Sequence, residues 1–180
     1  MSEPVSAEEQ FETFDDEGRS TGLVARSEVH RRGLWHRSAH VFVFNRPGQM
    51  LIQQRVAHKD LYPGLWDYAV GEHLQPGESF LAGALRGLRE ELGVTDADLS
   101  PVGAVRKSRL VGEGVIDAEE QQAYRCVLDG PFQPDPGEVA QVRFVEMPEL
   151  VRDIEAEPAR FTPWFIRDLR ELGLIGSASV

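Results

Sequence analysis

The stretch from Gly71 to Val94, GEHLQPGESFLAGALRGLREELGV, constrains this chain more than any other. A turn at Gln75-Pro76-Gly77 leads to Glu78 and Ser79, which offer a capping position before a run with helical period. Ala84, Leu85, Leu88 and Leu92 recur at spacings of three and four, the apolar stripe of a helix lying on a core. Gly93 stops the run as a left-handed cap would. Glu90 and Glu91 then fall near the C-terminal end, where a carboxylate pair works against the helix dipole. A divalent cation would give the pair a purpose. Hard cations take carboxylate oxygens, and magnesium in particular is held by one or two carboxylates plus substrate phosphates.

The rest of the chain reads as strands and helices around that unit. Phe11 to Phe14 and Thr21 to Arg26 flank a turn at Gly18 and predict two short strands. Ser27 has N-cap character before EVHRRG, a short helix ended by Gly33. Ala39 to Phe44 and Met50 to Arg55 are strands joined by a turn at Asn45-Arg-Pro-Gly48. Trp66 to Val70 is a strand feeding the central unit. Val102 to Leu110 and Ala123 to Leu128 are strands, and the acidic, Gly-rich VGEGVIDAEEQ between them reads as a mobile loop. Gln141 to Val145 is a further strand. Helices start at Pro148 and at Thr162-Pro163, the last with Trp164, Phe165, Leu169 and Leu172 on its apolar face. This order gives an α/β (α+β) class with a mixed sheet between helices. At 180 residues it is one domain, residues 11–180, behind an acidic disordered tail, residues 1–10.

Charge and cysteine content exclude several classes. A net charge of -11 argues against an electrostatic footprint for nucleic acid. It leaves room for a small phosphorylated ligand at a local basic or metal site. One cysteine, Cys126, permits no internal disulfide and fits a reducing cytoplasm; it reads as a small buried hydrophobe. MSEPVSAEEQ lacks the apolar core of a signal peptide, and no apolar run approaches a membrane span. The acidic tail and Trp-bearing last helix allow a homodimer without requiring one.

The central stretch resembles the Nudix box. Glu78, Arg86, Leu88, the pair Glu90-Glu91, Gly93 and Val94 fall at that pattern's Glu, Arg, bulky aliphatic, paired Glu, Gly and closing aliphatic. Two positions depart: the opening Gly falls on Glu72, with Gly71 one before it, and the Glu after the Arg is Gly87. The resemblance covers roughly Phe11 to Leu172. It implies an α/β/α sandwich and a magnesium- or manganese-dependent hydrolase of a diphosphate in a small nucleotide-like substrate. It carries over Glu91, Glu90 and the main-chain carbonyl of Gly71 or Glu72 as metal ligands. It gives Glu78 and Arg86 the task of orienting the loop. Gly87 supplies none of the oxygen the pattern expects there.

HRSAHVFVFNRPGQMLIQQR and KDLYPGLWD resemble the branch that holds type I isopentenyl diphosphate isomerases and their nearest Nudix hydrolases. That likeness implies a metal-binding role for His73, with His40 and His36 able to approach it from the neighbouring strand. The catalytic Cys of those isomerases falls on Gly71. An isomerase-like enzyme and a non-catalytic diphosphate-binding domain remain the alternatives. Arg55 and Lys59 are expected diphosphate contacts, since arginine forks match phosphate. Trp66 is expected to border the pocket. Glu119, Glu120 and Glu138 are candidate further carboxylates; Glu120 is the expected catalytic one.

Overall fold

Residues 8–112 and 114–176 are described in this computed structural model. A hairpin of β1 (Gln10–Phe14) and β2 (Ser20–Ala25) precedes α1 (Arg26–Arg32), which ends on Gly33 at φ 64. Then come β3 (His36–Phe44), β4 (Met50–Arg55), β5 (Trp66–Asp67), β6 (Val70–His73) and α2 (Phe80–Leu92). β7 (Ser100–Gly112), β8 (Val115–Val127), β9 (Val139–Val145), α3 (Met147–Ala156), a 3-10 turn (Pro158–Arg160) and α4 (Pro163–Glu171) complete the chain.

Strands β3 to β9 form one seven-stranded sheet. β3 and β8 run parallel, and every other pair is antiparallel. The sheet forks at β3. One end of β3 pairs with β4, Val43 opposite Leu51, and the other with β6, His40 opposite Gly71. β4 turns away to pair with β5 and β9. The opening between the β4 and β6 branches is where the site forms.

Strand pleat sorts the two faces. Ala39, Val41 and Val43 pack with Ala84, Leu88 and Leu92 of α2. Phe42 and Phe44 pack with Leu150 and Ile154 of α3 and with Phe165 and Leu169 of α4. Each such side chain fully buried is worth roughly 1.5–3 kcal/mol. The result is the α/β/α sandwich with a mixed sheet expected from the sequence.

Local expectations meet the fold unevenly. Ser79 caps α2, its Oγ accepting from the Ala82 amide at 3.2 Å, and Gly93 closes it at φ 69. Leu85 is 38% exposed, so it leaves the apolar stripe; Gly83 and Gly87 are buried instead. A Cβ on Gly87 would lie 2.5 Å from Val70 Cγ1, which shows how closely the helix backbone rides on β6. Ser27 lies inside α1 and does not cap it; its amide donates to Glu8 Oε1 at 2.7 Å. The expected strand from Trp66 to Val70 is split between β5 and β6. Most of the expected loop at 111–121 is strand, because β7 and β8 form a long hairpin that satisfies its backbone, Val111 opposite Ile116. Of the expected tail, residues 1–7 lie outside the described residues, and Gln10 already pairs with Ala25.

Candidate active site

Four elements bring a cluster together at one end of the cleft. His30 from α1, His36 from β3, His73 from β6 and Asp117 from β8 each offer a ligand atom, all within 4.8 Å of one another. Among the described residues, His30 Nε2, His36 Nε2 and Asp117 Oδ1 are buried without a hydrogen-bond partner. An unsatisfied buried polar atom costs about 1–3 kcal/mol. Three of them converging on one place point to a shared ligand that is not part of the chain. His36 Nδ1 lies 3.0 Å from the Leu34 carbonyl, a contact that leaves Nε2 free to coordinate. Phe11 stacks on His36 at 5.2 Å between ring centroids and shields the cluster.

Burial, with the nearby His73 and His36, pushes His30 down to about 4. Burial and His36 likewise hold His73 well below the ordinary value. Neutral imidazoles are the form that ligates metal. Three imidazoles and one carboxylate suit a transition metal better than magnesium, which prefers oxygen alone. His30 and Asp117 were not singled out from the sequence. The available signal was three of the chain's five histidines falling between positions 30 and 40.

The other end of the cleft is built on α2. Glu91 is 8% exposed and accepts from Gln53 Nε2 at 2.9 Å. Burial pushes it up to about 8 against that hydrogen bond, with Glu72 adding repulsion. Burial also raises Glu72 to about 7, opposed by Arg86. Arg86 binds Glu72 at 3.0 Å, Glu78 at 2.9 Å and Glu90 at 3.2 Å, and donates to the His73 carbonyl at 2.8 Å. It thereby ties α2 to the preceding loop and to β6. Glu90 does not reach the cleft: neighbouring helix residues point about 100° apart, and its side chain is 50% exposed between Arg86 and Arg89. Glu72 Cβ and Oε2 lie 3.1 and 3.4 Å from where a Cβ on Gly87 would be, so Glu72 fills the place of a side chain there.

Gly71, Arg55 and Lys59 line the cleft, as does Glu138, which pairs with Lys59. Arg55 donates to the Leu61 carbonyl at 2.9 Å and lies over Trp164. Trp66 does not border the cleft; it packs in the core beneath Arg143, and Trp164 lines the opening instead. Glu120 also points elsewhere. Strand alternation turns it to the α2 face, where it binds Arg37 at 3.0 Å, while Glu119 faces the cleft 3.4 Å from His73 Nε2. A Cβ on Gly71 would lie 2.5 Å from Tyr68 Cε2, so that buried ring occupies the space of any side chain at 71. Cys126 is buried with the α2 cluster, and burial raises its thiol to about 11, which leaves it inert.

The sequence profile of the NUDIX domain matches residues 34–165. The chain belongs to the NUDIX family. An isopentenyl-diphosphate Delta-isomerase of Nocardia farcinica is 39% identical over 155 residues, covering 85% of this chain and 88% of that one. One from Cereibacter sphaeroides is 39% identical over 143 residues, covering 78% and 80%. The crystal structure of a Deinococcus radiodurans protein superposes with a TM-score of 0.71 at 22% identity, covering 91% of this chain and 96% of that one. A MutT NUDIX hydrolase from Burkholderia pseudomallei gives 0.59 at 16% identity, covering 75% and 95%. At these identities the structural likeness establishes the fold of this NUDIX protein.

Proposed function

We propose that this NUDIX protein is a divalent-metal-dependent hydrolase that cleaves a diphosphate linkage in a small nucleotide-like molecule. The observation that carries the reading is that one cleft gathers Glu91, Arg55 and Lys59 together with His30, His73 and Asp117. The His30, His36, His73 and Asp117 cluster would hold a transition metal such as manganese, iron or zinc. Glu91 and the Gly71 carbonyl, whose residues line the same cleft, would hold magnesium or manganese on the diphosphate. Such ions neutralise phosphate charge and lower the pKa of bound water. Arg55 and Lys59 bind phosphate oxygens, Lys59 by exchanging its Glu138 partner for the substrate. Glu78 and Arg86 fix the loop that presents the Gly71–His73 backbone.

Isomerisation of isopentenyl diphosphate is the second reading, favoured by the 39% identity to proteins of that name. Against it, position 71 has no thiol, and Tyr68 leaves no room for one. The discriminating experiment is release of phosphate or nucleotide from a panel of nucleoside diphosphate sugars, dinucleotides, nucleoside di- and triphosphates and isopentenyl diphosphate. Each compound is run with magnesium and with manganese. Metal-dependent turnover lost in Glu91→Gln is the expected result. Binding without turnover of any compound would mean a diphosphate-binding domain.

A further inference from the structure

His40 stands apart from the other histidines of the cleft. It lies on β3 opposite Gly71, is 2% exposed and lines the cleft together with Ser38. Its Nδ1 is 2.8 Å from Asp168 Oδ2 on α4, a partner 128 residues away. Its Nε2 is 3.1 Å from Ser38 Oγ and 3.7 Å from Glu119 Oε2. The ring stacks on Tyr68 at 4.5 Å between centroids. Asp168 accepts from Nδ1–H, and Ser38 and Glu119 offer acceptors for a proton on Nε2 at the cleft wall.

A purely structural role accounts poorly for this pair. Asp168 is 0% exposed, and its other oxygen already meets Arg167 at 3.0 Å and Arg106 at 3.3 Å. Its charge is compensated without His40. Burying a further charged group in place of a well-packed apolar one gains the fold little. Nothing in the backbone ties Nε2 down: its contacts are two side chains on the cleft wall.

We propose that His40, positioned by Asp168, is the proton donor of this site and protonates the oxygen of the departing phosphate. This rests on the hydrolase reading. As the water oxygen bonds to phosphorus, the phosphoanhydride P–O bond breaks and its electron pair goes to the bridging oxygen. The Nε2–H proton of His40 passes to that oxygen. The attacking water's proton leaves with solvent, which afterwards reprotonates Nε2. Asp168 stays ionised throughout, holding Nδ1–H and the ring orientation. His40 touches the reacting atoms in this step, and Asp168 acts through it.

A donor of this kind contributes about 10²–10⁴-fold, and only where the leaving group needs a proton. The test compares two substrates of the full-length protein: the best diphosphate of the panel and the p-nitrophenyl ester of the same nucleotide, whose leaving group departs without protonation. His40→Gln and Asp168→Asn should lower kcat on the diphosphate by about 100-fold or more while changing KM and kcat on the ester little. Equal losses on both substrates, or none on either, overturn the assignment. Should neither variant fold, the wild-type protein decides with a series of substituted phenyl esters. A kcat nearly independent of leaving-group acidity supports the donor, and a steep dependence overturns it. If the wild-type protein hydrolyses nothing, the hydrolase reading falls and takes this assignment with it. If it hydrolyses and the variants match it on both substrates, the assignment alone falls.

Discussion

The two ends of the cleft are built on opposite principles. The histidine end leaves buried polar atoms unsatisfied: His30 Nε2, His36 Nε2 and Asp117 Oδ1 have no hydrogen-bond partner among the described residues. The α2 end saturates its groups, with Arg86 alone engaging Glu72, Glu78, Glu90 and the His73 carbonyl. One end keeps buried polar atoms unpaired, at a cost in stability. The other is braced by the chain itself, and its buried Glu91 is the acid it turns toward the cleft. Breaking the first should cost metal, and breaking the second should cost fold or catalysis.

The largest effect is expected at the histidine end. His36→Ala or Asp117→Asn should weaken retention of the metal by about 100-fold or more, beyond the 10–100-fold typical of outer partners. Metal analysis after dialysis measures this, and the secondary structure by circular dichroism should persist. Full retention in both variants would remove the distinction between the two ends.

Glu91→Gln comes next. It should lower kcat by about 100-fold, the low end of the range for loss of a catalytic carboxylate. The same change should raise stability at alkaline pH when metal is chelated. The sign follows from proton linkage: Glu91 titrates at about 8 in the folded protein against an ordinary value of 4.5. The folded state therefore binds the proton more tightly, and stability is highest below the ordinary value and falls as pH rises through about 8. Melting temperatures with chelator at pH 5 and pH 9 decide it, at about 3 °C per kcal/mol for a domain of this size. The variant should exceed the wild type at the higher pH and match it at the lower. A wild-type protein that gains stability between those points contradicts the burial of this carboxyl.

Arg86→Gln should cost about 2–3 kcal/mol in urea unfolding, below the 3–5 kcal/mol of a fully buried pair because part of the network is open to solvent. Metal retention at the histidine end should survive it. The smallest effect is Gly87→Ala. Overpacking against Val70 costs about 1–3 kcal/mol, and the gain in helix propensity returns about 1. A net loss of about 1 kcal/mol is expected; a stabilised variant would mean that α2 and β6 have slack.

The same contrast explains what the sequence disclosed. α2 and its caps are contiguous, so Ser79, Gly93 and the Ala84, Leu88 and Leu92 stripe were readable by spacing alone. The pair Glu90-Glu91 was readable too, but which of the two faces inward depends on how the helix rolls onto β6. The histidine end draws on four elements spread from His30 to Asp117, and no spacing rule joins them. Asp117 was hidden in a stretch whose acids and glycines resemble a loop; pairing with β7 makes it a strand. Glu119 and Glu120 are neighbours in sequence, and only the pleat of β8 decides which of them faces the cleft. Asp168 reaches His40 across the whole chain, a contact that tertiary packing alone creates.

Hydrolysis in this cleft requires that water attack a phosphorus atom. The most direct measurement is phosphorus NMR of reactions run in oxygen-18 water with magnesium or manganese, using the panel of nucleoside diphosphate compounds alongside isopentenyl diphosphate. Oxygen-18 is expected in one product phosphate of a nucleoside diphosphate compound, with isopentenyl diphosphate left unisomerised. Conversion of isopentenyl diphosphate to its allylic isomer, with no labelled phosphate from any compound, would contradict it.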